Sequence, residues 1–137
     1  MKANELMIGD WVYNHRNWEC PIVEIHKNSA VVIAKHYGEE EFLLSDLRPI
    51  PLTSEILEKN GFVANKHIYT YPYYEYEVKE IKLIIGFGFP QGNKTSYKDP
   101  WVYIDSERVF VEHLPCMFVH QLQHVLRLCR IEKEIIL

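Results

Sequence analysis

Residues 49–62, P-I-P-L-T-S-E-I-L-E-K-N-G-F, constrain the fold of this chain more than any other stretch. They close a strand-rich first third and open a short helix with signals at both ends. Thr53 is the expected N-cap, its hydroxyl placed to accept from an orphan N–H of the first turn. Leu52 and Leu57 have the N′ and N4 spacing of a hydrophobic staple. Glu55 falls in the positive first turn and Lys59 in the negative last turn. Asn60-Gly61 supplies the left-handed stop, after which Phe62 folds back onto Ile56 or Leu57. Whatever follows must pack against this helix.

The strands expected before that helix are short. Residues 7–13 (M-I-G-D-W-V-Y) begin with a Gly-Asp turn and then alternate bulky residues, as a strand does. Residues 21–26 and 30–34 are the second and third strands, separated by the polar turn Lys27-Asn28-Ser29. Residues 38–41 read as an acidic loop, 42–44 as a fourth strand and 45–48 as one helical or 3₁₀ turn. The result is an SH3-like small barrel or a plain meander over residues 1–50. Residues 51–137 form a second α+β unit, packed with the first as one domain. In it the helix is followed by strands at 67–71, 73–79, 81–87, 101–104 and 108–112, and residues 90–100 form a turn-rich loop. A C-terminal amphipathic helix runs from about residue 115 to 130. It carries Phe118, Val119, Leu122, Val125, Leu126 and Cys129 on one face, and His120, Gln123, His124, Arg127 and Arg130 on the other. Residues 135–137 add an edge strand. The fold class is α+β.

Composition narrows the function. The chain has 137 residues, 15 Lys and Arg against 19 Asp and Glu, and a net charge of −4. That balance argues against general binding to nucleic-acid backbone, which needs clustered cations. Residues 1–50 hold five basic and eight acidic side chains, so the small β unit is no basic module either, although a local patch can still assemble in three dimensions. Three scattered cysteines, Cys20, Cys116 and Cys129, fit buried thiols in a reducing compartment better than disulfides or zinc. No secretory leader follows Lys2, and no run approaches the ~20 apolar residues of a membrane span. These features point to a cytoplasmic protein.

Three segments carry a resemblance: K-A-N-E-L-M-I-G-D-W-V (residues 2–12), I-P-L-T-S-E-I-L-E-K-N-G-F (50–62) and V-H-Q-L-Q-H (119–124). Together they resemble a family of small proteins from Bacteroides-type gut bacteria, their phages and mobile elements. The family pattern has N-W-V where this chain has Asp10-Trp11-Val12, and Asn where it has His124. It also ends in an A-L-T-G-type segment, replaced here by residues 127–134. The resemblance implies a setting, cargo of mobile elements, and no activity.

Candidate chemistry is sparse. His120 and His124 are spaced i, i+4, so both imidazoles can address one metal ion, with Glu112 or His113 as a third ligand. The Glu of H-E-x-x-H is missing, and two solvated side chains on a polar face are the stronger reading. G-F-G-F-P-Q-G-N-K-T-S (86–96) has neither the glycine spacing of a phosphate loop nor a following helix, and Asn93 separates Gly92 from Lys94. The tyrosines at 69, 71, 73, 74 and 76 suit base stacking, yet Glu75, Glu77 and Glu80 among them favour packing inside a sheet. Glu39, Glu40 and Glu41 are consecutive, so neighbours point apart and form no acid/base pair. No serine or cysteine shows a base partner in the sequence. No cofactor is implied. The leading expectation is therefore a non-enzymatic protein-interaction module. Its contacts would be the exposed aromatics Trp11, Tyr13 and Trp18, or the polar helix face of His120, Gln123, His124 and Arg127. The alternatives are a nucleic-acid-binding accessory protein using the small barrel, and an enzyme whose site assembles only in space.

Overall fold

The computed structural model describes residues 1–65, 73–78, 80–87, 100–106 and 111–137. It shows two antiparallel five-stranded sheets, a short helix and a C-terminal helix, an α+β fold. The chain divides into two compact units, Met1–Pro51 with Phe118–Gln123, and Leu52–Met117 with His124–Leu137.

The first unit holds β1 (Trp11–Tyr13), β2 (Glu19–Ile25), β3 (Ser29–Ala34), β4 (Gly38–Leu43) and β5 (Arg48–Pro49). Their order is β4-β3-β2-β1-β5. A plain meander would set β5 beside β4; instead β5 returns to pair with β1, Val12 facing Pro49. The sheet is open, with β4 and β5 as its edges, and no closed barrel forms among the described residues. Alternation sorts the side chains: Val12, Cys20, Ile22, Ala30, Val32 and Ala34 are buried and join Leu6, Leu44 and Leu47 in the core of this unit. One extra residue, Val23, bulges β2 between the pairs Ile22–Val32 and Glu24–Val31. The expected acidic loop at 38–41 is the first part of β4, because all six β4 residues have β3 partners. Residues 44–46 form a single turn closed by Asp46 N–H donating to Leu43 C=O, the i to i+3 spacing of a 3₁₀ turn, and Arg48 already belongs to β5.

In the second unit α1 (Ser54–Lys59) has the expected ends. The Thr53 hydroxyl accepts from Ile56 N–H at 3.3 Å. Leu52 and Leu57 are both buried, as a staple requires. Gly61 N–H donates to Glu58 C=O and Phe62 N–H to Leu57 C=O, with Gly61 at φ 76°; this is the Schellman pattern.

The second sheet contains β6 (Val63–Asn65), β7 (Tyr73–Val78), β8 (Ile81–Phe87), β9 (Pro100–Asp105) and β10 (Val111–Pro115), in the order β10-β9-β8-β7-β6. The strand expected at 67–71 lies outside the described residues, as does the loop expected at 90–100 except for Pro100, which begins β9. Tyr73 and Tyr74 are adjacent on β7, so they face opposite sides of the sheet, and both are buried. Tyr76 packs its ring against Phe62 at 4.9 Å. These three tyrosines serve packing rather than an open stacking platform; Tyr69 and Tyr71 lie outside the described residues. Gly86 lies directly across from Trp101, and a Cβ on residue 86 would overlap the indole. Gly86→Ala should therefore cost about 2–3 kcal/mol by overpacking and shift the emission of Trp101. An unchanged urea midpoint would show that the indole swings aside freely.

The C-terminal helix α2 is shorter than the sequence suggests. It covers Val119–Leu128, and Pro115 ends β10 instead of starting the helix. Val119, Leu122, Val125, Leu126 and Cys129 are buried as expected, while Leu128 is exposed. A second Schellman pattern closes the helix, with Arg130 N–H donating to Arg127 C=O and Ile131 N–H to Leu126 C=O. Here the left-handed position, φ 55°, is held by Arg130 and not by glycine. Residues 135–137 add no strand. Ile136 is tied to Asn60 instead: the Asn60 amide nitrogen donates to Ile136 C=O at 2.8 Å and its oxygen accepts from Ile136 N–H at 2.9 Å.

Candidate functional site

Of the seven residues expected on a binding surface, the structure keeps few accessible. His120 and Gln123 are buried, at 5% and 7% exposure, which corrects their placement on a solvated helix face. The His120 ring lies parallel to that of Phe118 at 5.7 Å. Gln123 bonds the start of β1 and the turn before it: its side-chain oxygen accepts from Trp11 N–H at 3.0 Å, and its side-chain nitrogen donates to Gly9 C=O at 2.9 Å. In the structure its amide acts as a clasp on that backbone. His124 is half-buried and Arg127 exposed. Trp11, Tyr13 and Trp18 are half-buried, not exposed as expected. Among the described residues no three His, Cys, Asp or Glu groups are placed to hold a metal ion. The side chains of Glu112 and His113 lie outside that description.

The cysteines are buried and reduced. Burial alone pushes the Cys116 thiol up to about 12. Burial, then the nearby charges of Glu40 and Glu19, raises Cys20, and burial raises Cys129. None has the lowered thiol pKa of a nucleophile.

A different cluster assembles at one end of the first sheet. In an antiparallel meander alternate turns lie at the same end, so the β1–β2 turn (residues 14–18) and the β3–β4 turn (35–37) are neighbours. The first turn is N-H-R-N-W. Asn14 is fully buried, and its side-chain oxygen accepts from the backbone N–H groups of Arg16 at 2.9 Å and Trp18 at 3.1 Å. Asn14 N–H donates to Trp18 C=O, and Asn17 N–H to Asn14 C=O. Asn17 takes φ 61°, a left-handed conformation that asparagine tolerates better than most residues. Four of the five backbone N–H groups of residues 14–18 are thus bonded within the turn.

From that turn Trp18 stacks on Tyr37 of the second turn, with centroids 5.2 Å apart and planes 16° apart. The Arg16 guanidinium carbon lies 5.0 Å from the Trp18 ring centroid and 5.4 Å from that of Tyr37. His15 leans on Phe42 of β4 at 5.4 Å. The arrangement resembles a packed core on its inner side and a binding surface on its outer one. Trp18 touches the hydrophobic core cluster, whereas Tyr37 is 61% exposed. A guanidinium over an aromatic face gains about 0.5–1 kcal/mol at an exposed site and keeps its N–H groups free to donate. His15, Arg16, Lys35 and His36 are all exposed on these two turns.

The sequence singled out Trp18 but missed Arg16 and Tyr37. The available signal was the pair of short basic–aromatic turns, N-H-R-N-W and K-H-Y-G, two strands apart in a meander. Glu40 faces inward on β4 while Glu39 and Glu41 face out, as consecutive strand residues must. No family model, curated protein or solved structure matches the chain.

Proposed function

We propose that this chain is a non-enzymatic interaction module, cargo of a phage or mobile element, and that it docks its partner at the turn end of the first sheet. One observation carries the reading: Arg16, Trp18 and Tyr37, from two turns held at the same sheet end, form a stacked aromatic–cation cluster whose outer ring is open to solvent. An aromatic ring and an arginine already stacked on one another suit a binding surface, because part of the side-chain entropy lost on association has been given up beforehand. The mobile-element setting rests on the resemblance carried by residues 2–12, 50–62 and 119–124.

A photo-crosslinking aromatic amino acid placed at Tyr37, in the full chain expressed in its host, tests the surface. The same probe at Lys27, an exposed residue in the turn at the other end of the sheet, is the comparison. A discrete macromolecular adduct from position 37, absent from position 27, is the expected result. Adducts from neither position, or equally from both, would overturn the proposal.

A further inference from the structure

We infer that the partner at this surface is single-stranded nucleic acid, with one unpaired base stacking on Tyr37 and the adjoining phosphate held by Arg16. The inference rests on the docking surface proposed above and names its ligand.

Three features of the cluster fit that chemistry together. The first is a stacking face. Tyr37 is already in parallel contact with Trp18 on one side, so its ring is fixed in orientation, and most of its remaining surface is exposed. Base–aromatic stacking needs no particular base, since every base has a π-face. The second is an exposed cation held against the stack. Arg16 lies 5.0 and 5.4 Å from the two aromatic centroids, and its planar N–H fork matches two phosphate oxygens. The third is local charge. The tips of the two turns carry Arg16 and Lys35 with His15 and His36, all exposed, while the acidic Glu19 and Glu39 follow at the starts of β2 and β4, so the cations lead at the tips without a net excess around them.

An acidic peptide would also be drawn to Arg16 and Lys35, but it offers no flat ring for the open face of Tyr37. Duplex nucleic acid presents phosphates but keeps its bases stacked and out of reach. The cluster therefore favours unpaired nucleotides over both.

The test measures anisotropy of a fluorescein-labelled single-stranded DNA of about 12 nucleotides, a span within the range of single-strand sites. The RNA and the duplex of the same sequence run in parallel, against the full chain at low and moderate salt. Binding in the range of roughly 10⁻⁴ to 10⁻⁶ M is expected for the single strands at moderate salt, and tighter binding at low salt, with the duplex weaker. Tyr37→Ala should weaken it about tenfold by removing the stack. Arg16→Gln should weaken it and lower the slope of log K against log salt by about 0.7, one phosphate contact on a single strand. Tyr37 and Arg16 are exposed, so neither change threatens folding, and Lys27→Gln, with the same loss of charge at the opposite sheet end, should leave binding unchanged.

Binding that Lys27→Gln weakens as much as Arg16→Gln, or that is equal for duplex and single strand, would overturn the inference. So would no binding at protein concentrations of about 100 µM in low salt, where polyanion binding is strongest. If that failure came with a protein adduct from the Tyr37 crosslinker, the docking surface would stand and only its ligand would fall. With no adduct either, both readings would fall.

Discussion

Gln123→Leu should lose about 3 kcal/mol of stability, because it leaves Trp11 N–H and Gly9 C=O without the partner that now satisfies both, at roughly 1–3 kcal/mol for each buried group. The substitution keeps the volume and apolar stem of the side chain, so the loss isolates the two hydrogen bonds, at 3.0 and 2.9 Å. Gln123 is 7% exposed, and water replaces its amide poorly at such a site. Gly9 occupies a left-handed turn at φ 86° directly before β1, with its own N–H donating to Ile22 C=O. Loosening that turn frees the start of the strand. Urea denaturation gives the magnitude, and amide exchange at Trp11 gives the location. A loss below about 0.5 kcal/mol, the size of an ordinary surface substitution, would show that the clasp is dispensable.

Asn60→Ala should be as damaging, and its effect should appear far away in sequence. The Asn60 amide nitrogen donates to Ile56 C=O at 2.7 Å and to Ile136 C=O at 2.8 Å, and the amide oxygen accepts from Ile136 N–H at 2.9 Å. The residue is 2% exposed. Ile56 C=O keeps a bond from Asn60 N–H, so the main cost falls on Ile136, whose N–H and C=O both lose their partner. A loss of about 3 kcal/mol corresponds to roughly a hundredfold shift in the opening equilibrium of the last residues. Hydrogen exchange at the Ile136 amide should accelerate by that order, while α1, capped independently by Thr53 and Gly61, keeps most of its protection. Asn60→Asp retains the acceptor for Ile136 N–H but sets a carboxylate against two carbonyl oxygens, so it should be no better at neutral pH. Unchanged exchange at Ile136 would mean that Ile135, itself buried, anchors the terminus alone.

What the sequence made legible follows the range of the forces involved. The α1 helix was readable to its ends because capping and stapling act within one turn of the chain. The strands of the first unit were readable from alternation, apart from β4, whose run of three glutamates imitates a loop. The return of β5 to β1 was not readable, since two residues carry no periodicity. The faces of α2 were misread for a physical reason: a helical wheel ranks side chains by polarity, yet Gln123 is buried because its amide completes hydrogen bonds for backbone 112 and 114 residues away in the chain. His120 is likewise polar and buried, stacked on Phe118. Of the candidate site only Trp18 was visible. Arg16 and Tyr37 needed the topology that brings alternate turns together, and neither stands out within its own segment.

The interior placement of all three thiols has a practical consequence. Cys20, Cys116 and Cys129 are buried, and burial raises each thiol, Cys116 up to about 12, so neutral pH favours the unreactive protonated form of all three. Alkylating dyes and spin labels react with thiolates, so the native chain should stay almost unmodified under conditions that label a surface cysteine completely. A single cysteine introduced on the β3–β4 turn would then be the dominant reactive group without removing any natural one. The molecule comes supplied with a silent background for distance measurements and for fluorescence reporting from the very turn where a ligand is expected.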